Sequence, residues 1–153
     1  MFCNIMFLMF LQITGGTHYN RVERVQTCND LVIESIEQEL DPAITISVAW
    51  LESRWMPDAH NKNSGARGPL QMLPKYWCPD ARGRWSANGH HTRTCDYTKW
   101  GVHALHYYVS RRKTLERALS EFGYTNAKSK YVQLGLGLTE VARIWRGPKT
   151  MQK

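Results

Sequence analysis

Apolar residues open the chain almost without interruption. Residues 2–13 read Phe-Cys-Asn-Ile-Met-Phe-Leu-Met-Phe-Leu-Gln-Ile and give way to Thr14-Gly15-Gly16-Thr17. The run is shorter than the roughly 20 residues that a membrane-spanning helix needs. Its length and the small residues after it suit an export signal, although the usual basic residues before it are missing. Export signal, membrane-leaning anchor and buried N-terminal segment stay open, with residues 1–16 set apart from a main body at 17–153.

Beyond that run the periodicity is helical. Asn29 or Asp30 can cap a helix whose apolar side is Leu31, Val32, Ile33, Ile36 and Leu40. Asp41-Pro42 restarts the chain, because Asp caps well and Pro fits a first helical turn where its missing N–H has no partner anyway. Ile44, Val48 and Leu51 repeat along the helix that follows, and Pro57 is the expected stop. Residues 58–68 are nearly all turn formers and read as a loop. A second polar loop spans residues 78–95. Val102, Leu105 and Val109 mark a helix after Asp96. Thr114 can cap the next, where Leu115, Ala118, Leu119 and Phe122 form one stripe ending at Gly123. Tyr131 to Leu138 alternates like a strand, yet Leu134, Leu138, Val141 and Trp145 keep helical spacing, so helix is expected up to Gly147-Pro148. The pattern predicts a mainly α single domain with two long loops placed to frame a cleft.

Composition narrows the function only a little. At 153 residues, with 42% hydrophobic and 22% charged residues, the chain is an ordinary globular domain with room for one core. Net charge is +7, which suits an anionic partner such as nucleic acid, an anionic membrane or a bacterial wall. Only Arg111-Arg112-Lys113 forms a basic run, so the charge lacks the clustering of a nucleic-acid footprint. Six Trp and seven Tyr are many for this length, and aromatic faces can line a saccharide groove as well as a core.

The sharpest chemical feature is Glu52. It follows Val48 by four residues and Ile44 by eight, so it continues the apolar stripe and not the polar face. Burial disfavours ionisation and would keep such a carboxyl protonated near neutral pH, as a proton donor to a glycosidic oxygen must be. The plainer reading is a half-exposed helix-terminal Glu paired with Arg54 or Lys62.

Glu52-Ser53 after an apolar helix, the loop ending Ser64-Gly65-Ala66-Arg67-Gly68, and Pro69-Leu70-Gln71-Met72 together resemble the soluble lytic transglycosylases of bacteria and phages. The resemblance runs from about Cys28 to Trp145 and is densest from Ala49 to Pro74. Trp77-Cys78-Pro79 and Cys95-Asp96 resemble phage-encoded members in particular. It implies a lysozyme-like α fold, cleavage of peptidoglycan glycan strands, and no cofactor. Glu52 would protonate the bond between N-acetylmuramic acid and N-acetylglucosamine, then accept the proton of the muramoyl C6 hydroxyl as a 1,6-anhydro ring closes. One carboxylate suffices, because the nucleophile belongs to the substrate. Ser53 would hydrogen-bond near the site, and Gln71 would hold the sugar through its amide. Gly65 and Gly68 would let backbone approach the glycan. Met72, Phe122 and Tyr124 complete the positions assigned to the sugar.

The family usually places a tyrosine against the catalytic acid. Alignment puts Phe122-Gly123-Tyr124-Thr125 there, so either Tyr124 substitutes or the contact is lost. The expected partner is peptidoglycan, with transient membrane contact through residues 2–13, no nucleic acid, and a monomeric chain. The expected location is the periplasm or cell wall after export, the virion, or release from a phage-infected cell.

Cys78 and Cys95 bracket a loop that also holds His90 and His91. A disulfide suits an exported protein. Zinc on Cys78, His90, His91 and Cys95 is a weaker alternative, since the spacing matches no common finger. Cys28 could compete for Cys95, and Cys3 would leave with a signal peptide. Two further readings stay open beside the transglycosylase. A hydrolytic muramidase would need Asp58 or Asp96 as a base, and a catalytically degenerate wall-binding virion protein would draw on the missing tyrosine.

Overall fold

The fold is organised around helix α3 (Pro42–Ser53), whose residues Ala43 to Trp50 are all buried. The structure is a computed structural model that describes residues 1–78 and 95–145. Around α3 stand α1 (Phe2–Thr14), α2 (Arg21–Glu37), the single turn α4 (Pro74–Trp77), α5 (Tyr97–Arg111), α6 (Leu115–Phe122) and α7 (Lys130–Trp145). The chain is mainly helical, and the described residues form no strand, only isolated bridges joining His60, Arg67 and Met72.

The Asp41 carboxylate accepts the Ala43 N–H at 2.9 Å and starts α3 as the sequence suggests. Its end differs from the expectation at Pro57. Arg54 and Trp55 both take left-handed backbone, φ 57° and 63°, and their N–H groups return to the Trp50 and Ala49 carbonyls. Such a turn costs about 1–2 kcal/mol for each non-glycine residue. It swings Trp55 fully into the core, where its indole N–H donates to the Ile46 carbonyl at 2.7 Å.

Helix α2 begins at Arg21, well before Asn29, and faces the core with Arg24, Cys28, Leu31 and Ser35. Ile33 and Ile36, expected inside, are 57% and 60% exposed. The reason is close packing against α3. Ser35 Oγ bonds Leu31 O at 2.6 Å and Thr45 Oγ1 at 2.7 Å, a contact that bulky side chains would prevent. Thr114 caps α6 as the sequence suggests, accepting the Arg117 N–H, and Asp96 caps α5 by accepting that of Lys99. The ambiguous segment is helical, as α7. Gly147-Pro148, its expected stop, lies outside the described residues.

Residues 2–14 form α1, one face of which is buried in the fold. Cys3, Met6, Phe7, Phe10 and Leu11 lie in the same core as α3. Phe7 and Phe10 pack edge-on against Trp50, which packs against Trp55 at 4.9 Å between ring centres. Thr14 Oγ1 receives hydrogen bonds from the Trp50 indole and the Arg54 guanidinium, both at 2.8 Å. Cys3 is bonded to Cys28, so Cys28 does not pair with Cys95. No described helix is long and apolar enough to cross a membrane.

Candidate active site

Because α3 is buried almost to its last turn, whatever stands at position 52 leaves the core at its edge. Glu52 is half-buried there, desolvated by its surroundings yet still reachable from solvent. Burial raises its carboxyl from an ordinary 4.5 to about 7. The opposing influence is one hydrogen bond: the Tyr131 hydroxyl donates to Glu52 Oε1 at 2.6 Å, which favours the charged form. Tyr131 is itself pushed well above the ordinary phenol range by burial and by the neighbouring carboxylate, so it stays a donor.

The plainer reading of Glu52 as an ion-paired helix terminus does not hold for Arg54. That guanidinium turns away to Thr14 and lies over the Trp50 ring, 5.3 Å from its centre. Nor is another acid among the causes of the Glu52 shift, which are burial and Tyr131 alone.

The tyrosine beside the acid therefore comes from α7, and neither residue weighed for that contact supplies it. Phe122 is buried and packs edge-on against Tyr108 at 6.0 Å. Tyr124 is 77% exposed, with φ 51°. Gly123 between them explains how Tyr131 gets in. A Cβ at position 123 would stand 2.5 Å from Tyr131 Cε1, so the ring needs the missing side chain. No sequence signal marked Tyr131, which sat in the segment that read equally as strand or helix.

The turn after residue 65 is built by the residues expected in it, with altered roles. Ser53 Oγ donates to the Pro69 carbonyl at 2.7 Å and fastens the turn to the end of α3. Gln71 takes φ 51°, and its side-chain nitrogen donates to Ala59 O at 3.1 Å and Gly68 O at 2.9 Å. Both amide hydrogens thus shape the turn, leaving the amide oxygen as the group open to a ligand. Gly68 has φ 78°, and a Cβ there would meet Tyr97 Cβ at 2.4 Å, so packing on α5 demands this glycine. Gly65, at φ 80°, has open space where a Cβ would stand. Met72 is 3% exposed and lies in the core.

Cys78 and Cys95 are joined by a disulfide. That removes both thiolates from the zinc alternative, while His90 and His91 lie outside the described residues. No cluster of three or more His, Cys, Asp or Glu suited to a metal occurs among the described residues. Of the acids weighed as a hydrolytic base, Asp96 caps α5 and Asp58 is exposed in its loop. The geometry thus joins one proton-titrating carboxyl, one phenol donor and a rigid turn anchored beside them. Comparison with known proteins adds no assignment: no family model, curated protein or solved structure matches the chain.

Proposed function

We propose that the protein is a lysozyme-like lytic transglycosylase that cleaves the glycan strands of peptidoglycan, with Glu52 as its acid and base. The observation that carries this reading is the Glu52 carboxyl itself, raised to about 7 by burial and held by Tyr131. A group with that affinity is about half protonated at neutral pH, so one residue can donate to the departing glycosidic oxygen and then take back a proton. Hydrolytic glycosidases generally work with two carboxyl groups about 5–9.5 Å apart. Among the described residues no second acid contributes to the Glu52 shift, and burial is the only raising cause. This supports attack by the muramoyl C6 hydroxyl over attack by an activated water.

In the proposed reaction Glu52 gives its proton to the bridging oxygen while the C1–O bond breaks. The C6 hydroxyl forms the new bond to C1, and its proton goes to the carboxylate. Atoms balance without water, giving a 1,6-anhydro end. Tyr131 orients Glu52 and stabilises its charged state between the two transfers. Against a degenerate protein, the hydroxyl of Tyr131 supplies a contact like the one whose absence suggested that reading. Net charge +7 would assist adhesion to an anionic wall. The deciding experiment is mass spectrometry of fragments released from purified peptidoglycan by the wild type and by Glu52→Gln. The expected products are lighter than hydrolytic ones by one water, about 18 Da, and vanish in the variant. Reducing ends would make it a muramidase, and no release by the wild type would end the enzymatic reading.

A further inference from the structure

Thr14, the last residue of α1, has a hydroxyl whose bonding capacity is filled. It donates to the Phe10 carbonyl at 2.7 Å and accepts from the Trp50 indole and the Arg54 guanidinium, both at 2.8 Å. One proton and two lone pairs are all that a hydroxyl offers. Its two donors belong to the last turn of α3 and to its C-cap, and they stand on either side of Glu52 in the chain. One oxygen on another helix therefore grips the final turn of α3 at both ends.

The rest of that turn is tied down as well. The Arg54 carbonyl accepts from Arg24 Nε of α2 at 2.7 Å, Ser53 Oγ is bonded to the Pro69 carbonyl, and the Trp55 indole to that of Ile46. Glu52 sends its own polar group the other way, to the Tyr131 hydroxyl at 2.6 Å. Where the turn stands thus sets how deep the carboxyl sits and whether it reaches that phenol. A loosened turn would admit solvent to the carboxyl.

Thr14 holds the turn without adding charge. Residues 2–14 include no acidic or basic side chain, and among the described residues neither Arg24 nor Arg54 pairs with a carboxylate. The charge of Arg54 bears on Arg24, whereas Glu52 responds to burial and to Tyr131 of α7 alone. A neutral acceptor anchors a cation two residues from the acid and leaves the acid's surroundings apolar.

We propose that Thr14 is a positioning residue for Glu52, acting through Trp50 and Arg54, which makes α1 part of the catalytic unit. The inference rests on the reading of Glu52 as the acid that cleaves the glycan strand. A displacement of about 1 Å at a reacting group can cost about a hundredfold in rate, so a tie behind the acid matters although it touches no substrate.

The test compares Thr14→Val, which keeps the shape of the side chain but accepts no bond, with Thr14→Ser, which keeps the hydroxyl. Arg54→Met leaves the Trp50 bond in place and serves if Thr14→Val, with an unpaired indole N–H in the core, folds poorly. The Glu52 carboxyl is titrated by NMR in the full-length protein carrying 13C-labelled glutamate, its signal assigned by its loss in Glu52→Gln. Thr14→Val and Arg54→Met should each lower the midpoint by about one pH unit, because solvent reaches the carboxyl. They should also slow fragment release about ten- to hundredfold at unchanged binding to insoluble sacculi. Thr14→Ser should restore both quantities, and adding Arg54→Met to Thr14→Val should change little, as for two ends of one contact. A midpoint unmoved in both variants overturns the proposal, as does one that rises in Arg54→Met, the direction that loss of a nearby cation would give. A rate that falls in Thr14→Ser as far as in Thr14→Val overturns it too. If the wild type releases no fragments the enzymatic reading fails, and the titration still decides whether Thr14 sets the surroundings of Glu52.

Discussion

Replacing Glu52 by Gln should stabilise the protein, by an amount that grows as pH rises from about 4.5 to about 7 and is full above that. In the fold, burial raises the carboxyl from 4.5 to about 7. The folded state therefore binds this proton more tightly than the unfolded chain does. Stability linked to it is complete below about pH 4.5, falls as pH rises, and is lost once pH passes about 7. At 1.36 kcal/mol per pH unit, that interval corresponds to about 3 kcal/mol. Glu52 keeps some solvent contact, so about 1–3 kcal/mol is the expected cost of charging it at pH 8. Gln has the same shape, never ionises, and can still accept the Tyr131 hydroxyl bond. At pH 8 the variant should melt several degrees higher, on the order of 2–4 °C per kcal/mol for a chain of this size. At pH 4 the two proteins should melt together. Calorimetric scans at both pH values are the assay. Equal melting at pH 8, or a less stable variant there, would refute the claim that the fold desolvates this carboxyl.

Further perturbations test the tyrosine that holds that carboxyl and the packing of the fold. Tyr131→Phe removes the bond that lowers Glu52, so the alkaline limb of activity against pH should move up by about one to two pH units and the rate should fall; an unmoved limb would deny Tyr131 this role. Gly123→Ala sets a methyl 2.5 Å from the Tyr131 ring and should cost about 1–3 kcal/mol by chemical denaturation, whereas Gly137→Ala, with open space around it, should gain up to about 1 kcal/mol. Cys3→Ser with Cys28→Ser opens a loop closed across 25 residues and should cost about 3 kcal/mol by the same measurement.

How much of this was legible in the sequence depended on whether the governing contact was local. Asp41 and Thr114 act on N–H groups two or three residues ahead, and both caps could be read from residue type and position. Glu52 was also legible, because a carboxyl continuing a stripe of Ile44 and Val48 has to meet the apolar surface those residues meet. The face of α2 was misread because its buried row contains Arg24, Cys28 and Ser35. Arg24 is inside because its guanidinium donates to the Arg54, Thr17 and Tyr19 carbonyls and lies over Phe7. Those partners are brought together only by the docking of α1. Tyr131 was invisible for the same reason, since it lies 79 residues from the carboxyl it holds.

The two influences on Glu52 oppose each other, and their separation in the chain gives the opposition its meaning. Burial comes from α3 and what packs on it, and alone it would drive the carboxyl further toward the permanently protonated form. Such a group can donate, but it is a poor proton acceptor near neutral pH. A fully solvated carboxylate has the converse defect. Tyr131, entering over Gly123, adds one charge-favouring bond to an otherwise desolvated group and brings it back to about 7. A residue that must first give and then take a proton needs that intermediate position. A structural Glu does not, because a neutral side chain at position 52 would leave the core edge more stable above neutral pH.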